Sequence, residues 1–208
     1  MQEKNILPDQ SDTTAVILAG GRAKRMGFTD KGLLPFRGLA MIEHVIHRLK
    51  PQVGSMMINA NQNQKHYAQW RMPVYPDERA GYAGPLAGIE TGLRHCQTPY
   101  MVAVPCDTPF LPGNLVLRLH ETMHTKNADI TVAATGVNDR YKPQPVFCLM
   151  KAALLPGLEL FLDSGQRKID AWYKTLQFAY TFFPDENAFR NINTQEELQF
   201  LENTYIAI

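Results

Sequence analysis

The sequence predicts one α/β domain with a mainly parallel central sheet that is covered by helices on both faces. Short apolar segments alternate along the chain with segments of helical periodicity, a pattern typical of parallel strands connected by helices. Residues 100–104 are apolar throughout, as expected for a central strand that is buried on both faces. A chain of 208 residues is long enough to bury one such core. We expect the domain to span residues 14–208, after a flexible polar tail at residues 1–13.

Seven segments predict the strands of this sheet. Most are short and apolar and are bounded by glycine, proline or asparagine, as buried strands are. The last one alternates Phe178, Tyr180 and Phe182, which indicates a strand with one buried face. Residues 137–141 are interpreted as an excursion between two strands. The predicted strands cover residues 15–18, 56–58, 73–77, 100–104, 130–134, 144–150 and 178–182.

Helices are predicted between these strands. Apolar residues at helical spacing predict a helix over Met41–Leu49, which Pro51 ends. Pro85 suits the first position of another helix. A capping box formed by Thr194 and Glu197 opens the last one. The other predicted helices cover residues 64–70, a segment from residue 112, and residues 154–162 and 168–176.

Composition and charge exclude several functional classes. The net charge is +1, so there is no overall electrostatic case for binding nucleic acid or a membrane, and any anion site must be local. No apolar run reaches the length of a membrane span, and residues 1–13 lack the apolar core of a signal peptide. The three cysteines are far apart and fit neither a disulfide framework nor a zinc motif. We therefore expect a cytoplasmic protein with free thiols.

A glycine-rich basic stretch follows the first predicted strand. It reads Leu18-Ala-Gly-Gly-Arg-Ala-Lys-Arg-Met-Gly27 and is followed by Asp30-Lys31. Glycine lets the backbone pass close to a ligand, and backbone N–H groups together with cations suit a polyphosphate. The stretch is not a P-loop, because Phe28 follows Gly27 where that motif has lysine. On glycine and basic residues alone, a solvated loop after an ordinary strand explains it as well.

Four candidate residues come directly after predicted strands: Gly20, Asn59, Asp77 and Asp107. Ligands of parallel sheets bind at the carboxyl ends of the strands, so these residues are expected to share one rim. Asp107 is the best candidate for a metal ligand, since Mg²⁺ binds through one or two carboxylates together with substrate phosphates. Aspartate also shapes turns, and the spacing alone does not separate the two roles.

Several motifs resemble those of one enzyme family. The string L-A-G-G-x-x-x-R-M-G-x-x-D-K resembles the signature loop of nucleotidyltransferases and is closest to that of the molybdenum cofactor guanylyltransferases. Three further segments resemble motifs of this family, in its order and at about its spacings. They are Gly84-Pro-Leu-Ala-Gly88, Pro105-Cys-Asp-Thr-Pro109 and Asn191-Ile-Asn193-Thr-x-Glu196-Glu197. The departures are Gln195, where the family often has proline, and Lys142-Pro-Gln-Pro145, where many members carry His-Pro.

The resemblance implies a Rossmann-like nucleotidyltransferase domain and a cytoplasmic Mg²⁺ enzyme. Such an enzyme transfers GMP from GTP to the phosphate of molybdenum-molybdopterin and releases pyrophosphate. The implied partners are these substrates, molybdopterin-handling proteins and recipient molybdoenzymes, and we expect a monomer. Carried over by position, Lys31, Arg25 and Asp107 are catalytic, and Asp107 holds the metal. The implied binding residues are Leu18, Ala19, Gly20, Lys31, Asn59, Asp77 and Asp107 for the nucleotide, with Asn191 and Asn193 towards the pterin.

Two other functions stay open on the sequence. A sugar-phosphate or pterin cytidylyltransferase would keep the fold and change the substrate. The sugar enzymes, however, resemble L-A-G-G-x-G-T-R-L, with Gly-Thr where this chain has Ala23-Lys24. A nucleotide-binding module without chemistry, acting in cofactor delivery, is the other alternative. The presence of both Lys31 and Asp107 argues against that module.

Overall fold

The computed structural model describes residues 9–20, 30–79, 84–137, 140–192 and 195–204, and it confirms the predicted fold class. Nine strands are present in this part of the chain, and the predicted ones all appear. Their bounds are β1 Thr13–Leu18, β2 Pro35–Phe36, β3 Leu39–Ala40, β4 Ser55–Asn59, β5 Val74–Tyr75, β6 Tyr100–Pro105, β7 Ile130–Val137, β8 Arg140–Lys151 and β9 Phe178–Phe183.

Helices occur at each predicted position. The first has the predicted bounds, whereas the sixth is shorter than the predicted 168–176. Their bounds are α1 Met41–Leu49, α2 Gln64–Tyr67, α3 Pro85–His95, α4 Leu115–Thr125, α5 Leu155–Asp163, α6 Ile169–Tyr173 and α7 Gln195–Thr204. Within the described ranges, none of these helices is both long and apolar enough to cross a membrane.

Seven of the described strands form one sheet in the order β5-β4-β1-β6-β8-β7-β9, and β2 and β3 form a separate hairpin. The strand β1 pairs in parallel with both β4 and β6, and β4 pairs in parallel with β5. The strand β8 runs antiparallel to β6 and to β7. The carboxyl ends of β1, β4, β5 and β6 therefore meet at one edge, which we call the rim.

Two apolar layers cover the sheet, as predicted. Alternate residues of β1 point to opposite faces, so Ala15 and Ile17 pack with α1 and α4, and Val16 packs with α3. The helices α5 and α6 complete the second layer. Full burial of one side chain such as Ile17 stabilises the fold by roughly 1.5–3 kcal/mol. This packing holds the rim loops on a rigid support.

Residues 137–141 differ from the expected excursion. The strands β7 and β8 extend towards each other and pair as far as Val137 and Arg140, so the segment is the end of a long hairpin. Residues 138–139 lie outside the described residues. The pairing register shifts between Val132 and Ala133. Sequence pattern does not reveal this hairpin, because residues 140–144 are mostly polar and form no apolar run typical of a buried strand.

The folded part of the chain also begins earlier than the expected residue 14. Residues Gln10–Asp12 form one turn of 3-10 helix, and Thr13 already belongs to β1. The side chain of Thr13 is buried, and its Oγ1 lies 2.9 Å from Nε2 of His120. This contact with α4 is remote in sequence, so polar residues that look like a tail are in fact part of the domain. Residues 1–8 of the predicted tail lie outside the described residues.

Candidate active site

A cleft of about 220 Å³ opens at the rim, beside the amino end of α3. Eight of the ten predicted site residues are described, and all eight line this cleft. The other two, Arg25 and Asn193, lie outside the described residues, as do Arg22 and Lys24 of the basic stretch. The lining consists of Leu18, Ala19, Gly20, Asp30, Lys31, Asn59, Asp77, Gly84, Pro85, Gly88, Pro105, Cys106, Asp107, Val146 and Asn191.

An ion pair forms one wall of the cleft. The Nζ atom of Lys31 donates to Oδ2 of Asp107 across 3.1 Å, and the two side chains are 23% and 12% exposed. The residue Asp107 follows β6 closely, and the N–H of Ile192 donates to its carbonyl oxygen across 3.0 Å. This bond fixes the Asp107 backbone and brings Asn191 to the cleft. A cation and an anion thus lie in a sheltered position that a charged ligand can reach.

A second polar group fills the ends of β4 and β5. The Nδ2 atom of Asn59 donates to Oδ1 of Asp77 at 3.0 Å, and Nδ2 of Asn61 donates to Oδ2 at 2.8 Å. The N–H of Asp77 donates in turn to Oδ1 of Asn61 at 2.8 Å. Both carboxylate oxygens of Asp77 are therefore held by side-chain amides, which fix the plane of the carboxylate at the cleft.

Asn61 is not among the residues that the motifs indicate, although a local signal for it exists. Residues two apart at the end of a strand point to the same side. The Asn-Ala-Asn sequence at 59–61 therefore places both amides on the same side of β4. Only the pairing of β4 with β5 shows that Asp77 is their common acceptor.

Two glycines make room for these amides. A Cβ atom on Gly88 would lie 2.3 Å from Oδ1 of Asn59, and a Cβ atom on Gly20 would lie 2.9 Å from Nδ2 of Asn61. Real side chains do not approach so closely, so any larger residue would displace the amides that hold Asp77. The predicted reason for Gly20 was backbone approach to a ligand, and the structure adds this packing role.

A third group surrounds Asp30, which comes before Lys31. Its carboxylate accepts from the Tyr67 hydroxyl, from Nδ2 of Asn63 at 3.1 Å and from the N–H of Gly32 at 3.3 Å. Tyr67 is fully buried, and burial raises the pKa of its hydroxyl well above the ordinary value, so that it acts as a donor. The motifs do not indicate Tyr67, because it lies 37 residues away from Asp30.

The thiol of Cys106 does not contribute a nucleophile. Burial raises its pKa well above the ordinary value, and the neighbouring Asp107 carboxylate raises it further. A buried thiol of this kind stays protonated and unreactive at neutral pH. This supports the interpretation of the cysteines as free thiols without a catalytic role.

The donor set of the cleft fits a magnesium ion that is shared with a substrate. Within the described residues, no three His, Cys, Asp or Glu side chains cluster together, so this part of the chain offers no complete cage of such ligands. It offers the Asp107 carboxylate in the cleft wall. Mg²⁺ favours hard oxygen ligands, keeps several waters and binds through few carboxylates together with phosphates. One aspartate in the wall of an open cleft matches this mode.

Sequence similarity to molybdenum cofactor guanylyltransferases extends over nearly the whole chain. A molybdenum cofactor guanylyltransferase of Bordetella petrii is 50% identical over 193 residues, which are 93% of this chain and 98% of the relative. A molybdenum cofactor guanylyltransferase of Cupriavidus necator is 48% identical over 191 residues, which are 91% of this chain and 96% of the relative. The similarity therefore extends over the rim, the cleft and both layers of helices.

Solved structures share the fold. The molybdopterin-guanine dinucleotide biosynthesis protein A of Archaeoglobus fulgidus superimposes with a TM-score of 0.73 at 24% identity, over 94% of this chain and all of that one. The 4-diphosphocytidyl-2C-methyl-D-erythritol synthase of Anaerococcus prevotii gives 0.72 at 14% identity, over 96% of this chain and all of that one. At such identities the likeness shows the fold alone.

The family follows from a match that covers most of the chain. Residues 15–177 fit the family model of the MobA-like NTP transferase domain, and this range contains every strand of the rim except the first residues of β1. Together with the curated relatives, this match shows that the chain belongs to the family of MobA-like NTP transferase domains.

Proposed function

We propose that this protein transfers GMP from GTP to the phosphate of molybdenum-molybdopterin, forming the guanine dinucleotide form of the cofactor and releasing pyrophosphate. The observation that carries the proposal is the Lys31–Asp107 ion pair in the wall of the rim cleft. It supplies a cation and a metal-binding carboxylate side by side, in a chain about half identical to molybdenum cofactor guanylyltransferases.

The nucleotide occupies the part of the cleft formed by β1, β4, β5 and α3. The backbone of Leu18, Ala19 and Gly20 lines one side, and the Asn59–Asp77 group lines the other. The triphosphate then extends towards Lys31 and Asp107, and Arg25 is proposed to face it from the basic stretch. The amino end of α3 adds N–H groups that favour negative charge.

The reaction is a displacement at the α-phosphorus of GTP. An oxygen of the acceptor phosphate forms a new bond to this phosphorus while the bond to pyrophosphate breaks. The acceptor phosphate is already ionised at neutral pH, so no general base is required. The main tasks of the protein are to bring two anions together and to neutralise charge. The ammonium of Lys31 stabilises the charge that builds up on the α-phosphate.

Asp107 is the residue proposed to hold Mg²⁺. When bound, this ion would neutralise part of the negative charge of the triphosphate. The chain itself contributes the rigid placement of the carboxylate, because Asp107 follows a buried strand and its carbonyl is bonded to Ile192. Asn191, which lines the same cleft, and Asn193 are proposed to contact the pterin acceptor.

Pyrophosphate release tests the proposal directly. The protein is mixed with Mg²⁺, molybdenum-molybdopterin and one of GTP, CTP or ATP. Release with GTP is the expected result, and comparable release with CTP would instead identify a cytidylyltransferase. Thermal stabilisation by GTP without release from any nucleotide would indicate a delivery module. In the stabilisation assay, a ligand at 100 times its Kd adds about 2.7 kcal/mol.

The proposal extends to the partners and the setting of the enzyme. Molybdopterin-handling proteins supply the acceptor and recipient molybdoenzymes take the product. The enzyme acts in the cytoplasm as a monomer, which sedimentation of the purified protein with and without GTP tests.

A further inference from the structure

The carboxylate of Asp30 is held by a side chain from a distant part of the chain. Tyr67, the last residue of α2, donates its hydroxyl to Oδ1 of Asp30, and Asn63 donates to Oδ2 at 3.1 Å. The Tyr67 ring is fully buried in the layer between the sheet and α1. The short helix α2 thus contacts, through the buried Tyr67, the segment that carries Lys31.

The same hydroxyl also lies against the residue on the other side of Lys31. A Cβ atom built on Gly32 would lie 2.5 Å from the Tyr67 hydroxyl oxygen, so the Gly32 backbone is packed onto this group. The N–H of Gly32 donates to Oδ1 of Asp30 as well. Both chain neighbours of Lys31 are therefore in contact with one buried hydroxyl.

Lys31 begins a turn of 3-10 helix, Lys31–Leu33, which Asp30 caps. From this turn its ammonium reaches Oδ2 of Asp107 at 3.1 Å. A lysine side chain has four rotatable bonds, so its position depends on how firmly its backbone is held. A displacement of about 1 Å at a reacting group is enough to cost about 10²-fold in rate.

We propose that Tyr67 is a positioning residue for Lys31: its hydroxyl holds Asp30 and Gly32 so that the Lys31–Asp107 pair keeps the geometry that nucleotidyl transfer needs. This role rests on the proposed function. The ring of Tyr67 contributes to core packing in any case, and only the hydroxyl is assigned the positioning role. Tyr67→Phe therefore separates the two contributions.

A double-mutant cycle with Lys31 tests this role. We expect Tyr67→Phe to lower kcat about 10-fold, with a much smaller change in the KM for GTP, as losses of outer-shell partners do. In the Lys31→Ala background the same substitution should leave kcat nearly unchanged, because the group that it positions is absent. An equal fold loss in both backgrounds, or no loss in either, would overturn the proposal.

Tyr173→Phe is the matched control. Tyr173 is likewise buried, and burial is the main cause that raises the pKa of its hydroxyl, but it packs on the opposite face of the sheet. Loss of this hydroxyl should leave kcat unchanged, and a loss equal to that of Tyr67→Phe would count against positioning. If Tyr67→Phe does not fold, Asn63→Ala removes the other side-chain donor to Asp30, and the same dependence on Lys31 is expected.

A second measurement does not depend on catalysis, so it separates failure of this role from failure of the proposed function. Brief acetylation with acetic anhydride, followed by mass spectrometry, gives the reaction rate of each lysine. Lys151 is an internal reference, since it forms an ion pair with Asp129 at the other end of the sheet. The ratio of the Lys31 rate to the Lys151 rate should rise several-fold in Tyr67→Phe and stay constant in Tyr173→Phe. An unchanged ratio in Tyr67→Phe would overturn the proposal even in a protein that transfers no nucleotide.

Discussion

At the carboxyl end of the sheet, Lys31 donates to Asp107 across 3.1 Å, and at the amino end Lys151 donates to Asp129 across 2.8 Å. The two pairs have the same chemistry and similar lengths, but their surroundings differ. The side chains of the first pair are 23% and 12% exposed in a cleft wall, and those of the second are 39% and 33% exposed. Exposed ion pairs contribute about 0–1 kcal/mol to stability, so the second pair is expected to matter little.

The support of the two pairs differs as well. In the first pair, Lys31 begins a turn of 3-10 helix that the Asp30 side chain caps. The carbonyl oxygen of Asp107 accepts from the N–H of Ile192. Lys151 and Asp129 are held through backbone bonds at the end of the sheet, since the Lys151 N–H donates to the Asp129 carbonyl and the Asp129 N–H donates to the Gln177 carbonyl. The comparison teaches that an ion pair becomes a candidate site through its place at the carboxyl ends of strands and its shelter in a cleft wall, not through its length.

The largest effect is expected for Asp107→Asn. The change keeps the size and turn capacity of the residue but removes its charge, which should cost about 10³-fold in turnover. The variant should stay folded and need far more Mg²⁺. Titration of Mg²⁺ against activity measures this. Asp129→Asn breaks the matching pair at the amino end and should give the wild-type curve, and superimposable curves for wild type and Asp107→Asn would place the metal elsewhere.

The next effect is expected for Lys31→Ala. Removal of a donor that acts where charge builds up should lower kcat by about 10²-fold while the KM for GTP changes less. Steady-state kinetics of pyrophosphate release separate the two parameters. Lys151→Ala is the matched control and should keep wild-type kinetics. Equal turnover for the Lys31 and Lys151 variants at saturating GTP would remove the distinction between the two ends.

Local patterns predict the carboxyl end well because strand and helix periods are properties of neighbouring residues. The helix Met41–Leu49 was predicted from such a local pattern. The rim was predicted in the same way, because residues that follow parallel strands meet at one edge, as Asn59, Asp77 and Asp107 do. Asn61 and Tyr67 could not be assigned in this way. Their partners lie 16 and 37 residues away, and only the packing of whole elements brings them together.

The same limit explains why the strand directions in the second half of the sheet could not be predicted. The predicted strand at residues 144–150 was correct in place, but nothing in its apolar pattern shows that β8 runs antiparallel to its neighbours. Strand direction depends on the length and path of the connections. A short turn permits the β7–β8 hairpin, whereas parallel neighbours need a longer crossover.

A smaller effect concerns which part of the rim selects the base. We expect GTP to be used well above ATP and CTP, with Asp77 or the Leu18–Ala19 backbone responsible. Guanine presents an N1–H and an amino group side by side, which a fixed carboxylate or backbone carbonyls accept together, and such sites reject poor matches. A panel of nucleotides in the pyrophosphate assay measures the preference.

Asp77→Ala distinguishes the two sources of selection. If the carboxylate reads the base, this variant loses preference for GTP, and if the backbone reads it, the preference survives. Asp170→Ala removes an exposed aspartate that forms a 3.9 Å ion pair with Lys174, and it should behave as wild type. Comparable pyrophosphate release from CTP and GTP by the unaltered protein would refute guanine selection.

The smallest effect on activity is expected at the amino end, where His120 contributes to stability alone. Burial lowers the pKa of His120 to about 4 from its ordinary value of 6.5, and its Nε2 lies 2.9 Å from Oγ1 of Thr13. Between these two pH values the unfolded chain binds a proton that the folded protein does not. The free energy of unfolding should therefore rise with pH in this window by up to about 1.4 kcal/mol per pH unit from this group.

Urea unfolding of wild type and His120→Gln from pH 4 to pH 7 isolates the contribution, because other titrating groups are common to both. The variant should show a flatter pH dependence of stability and the wild-type kcat at neutral pH. Parallel curves for the two proteins would mean that folding leaves the pKa of His120 unchanged, and a reduced kcat would mean that the amino end of the sheet affects the rim.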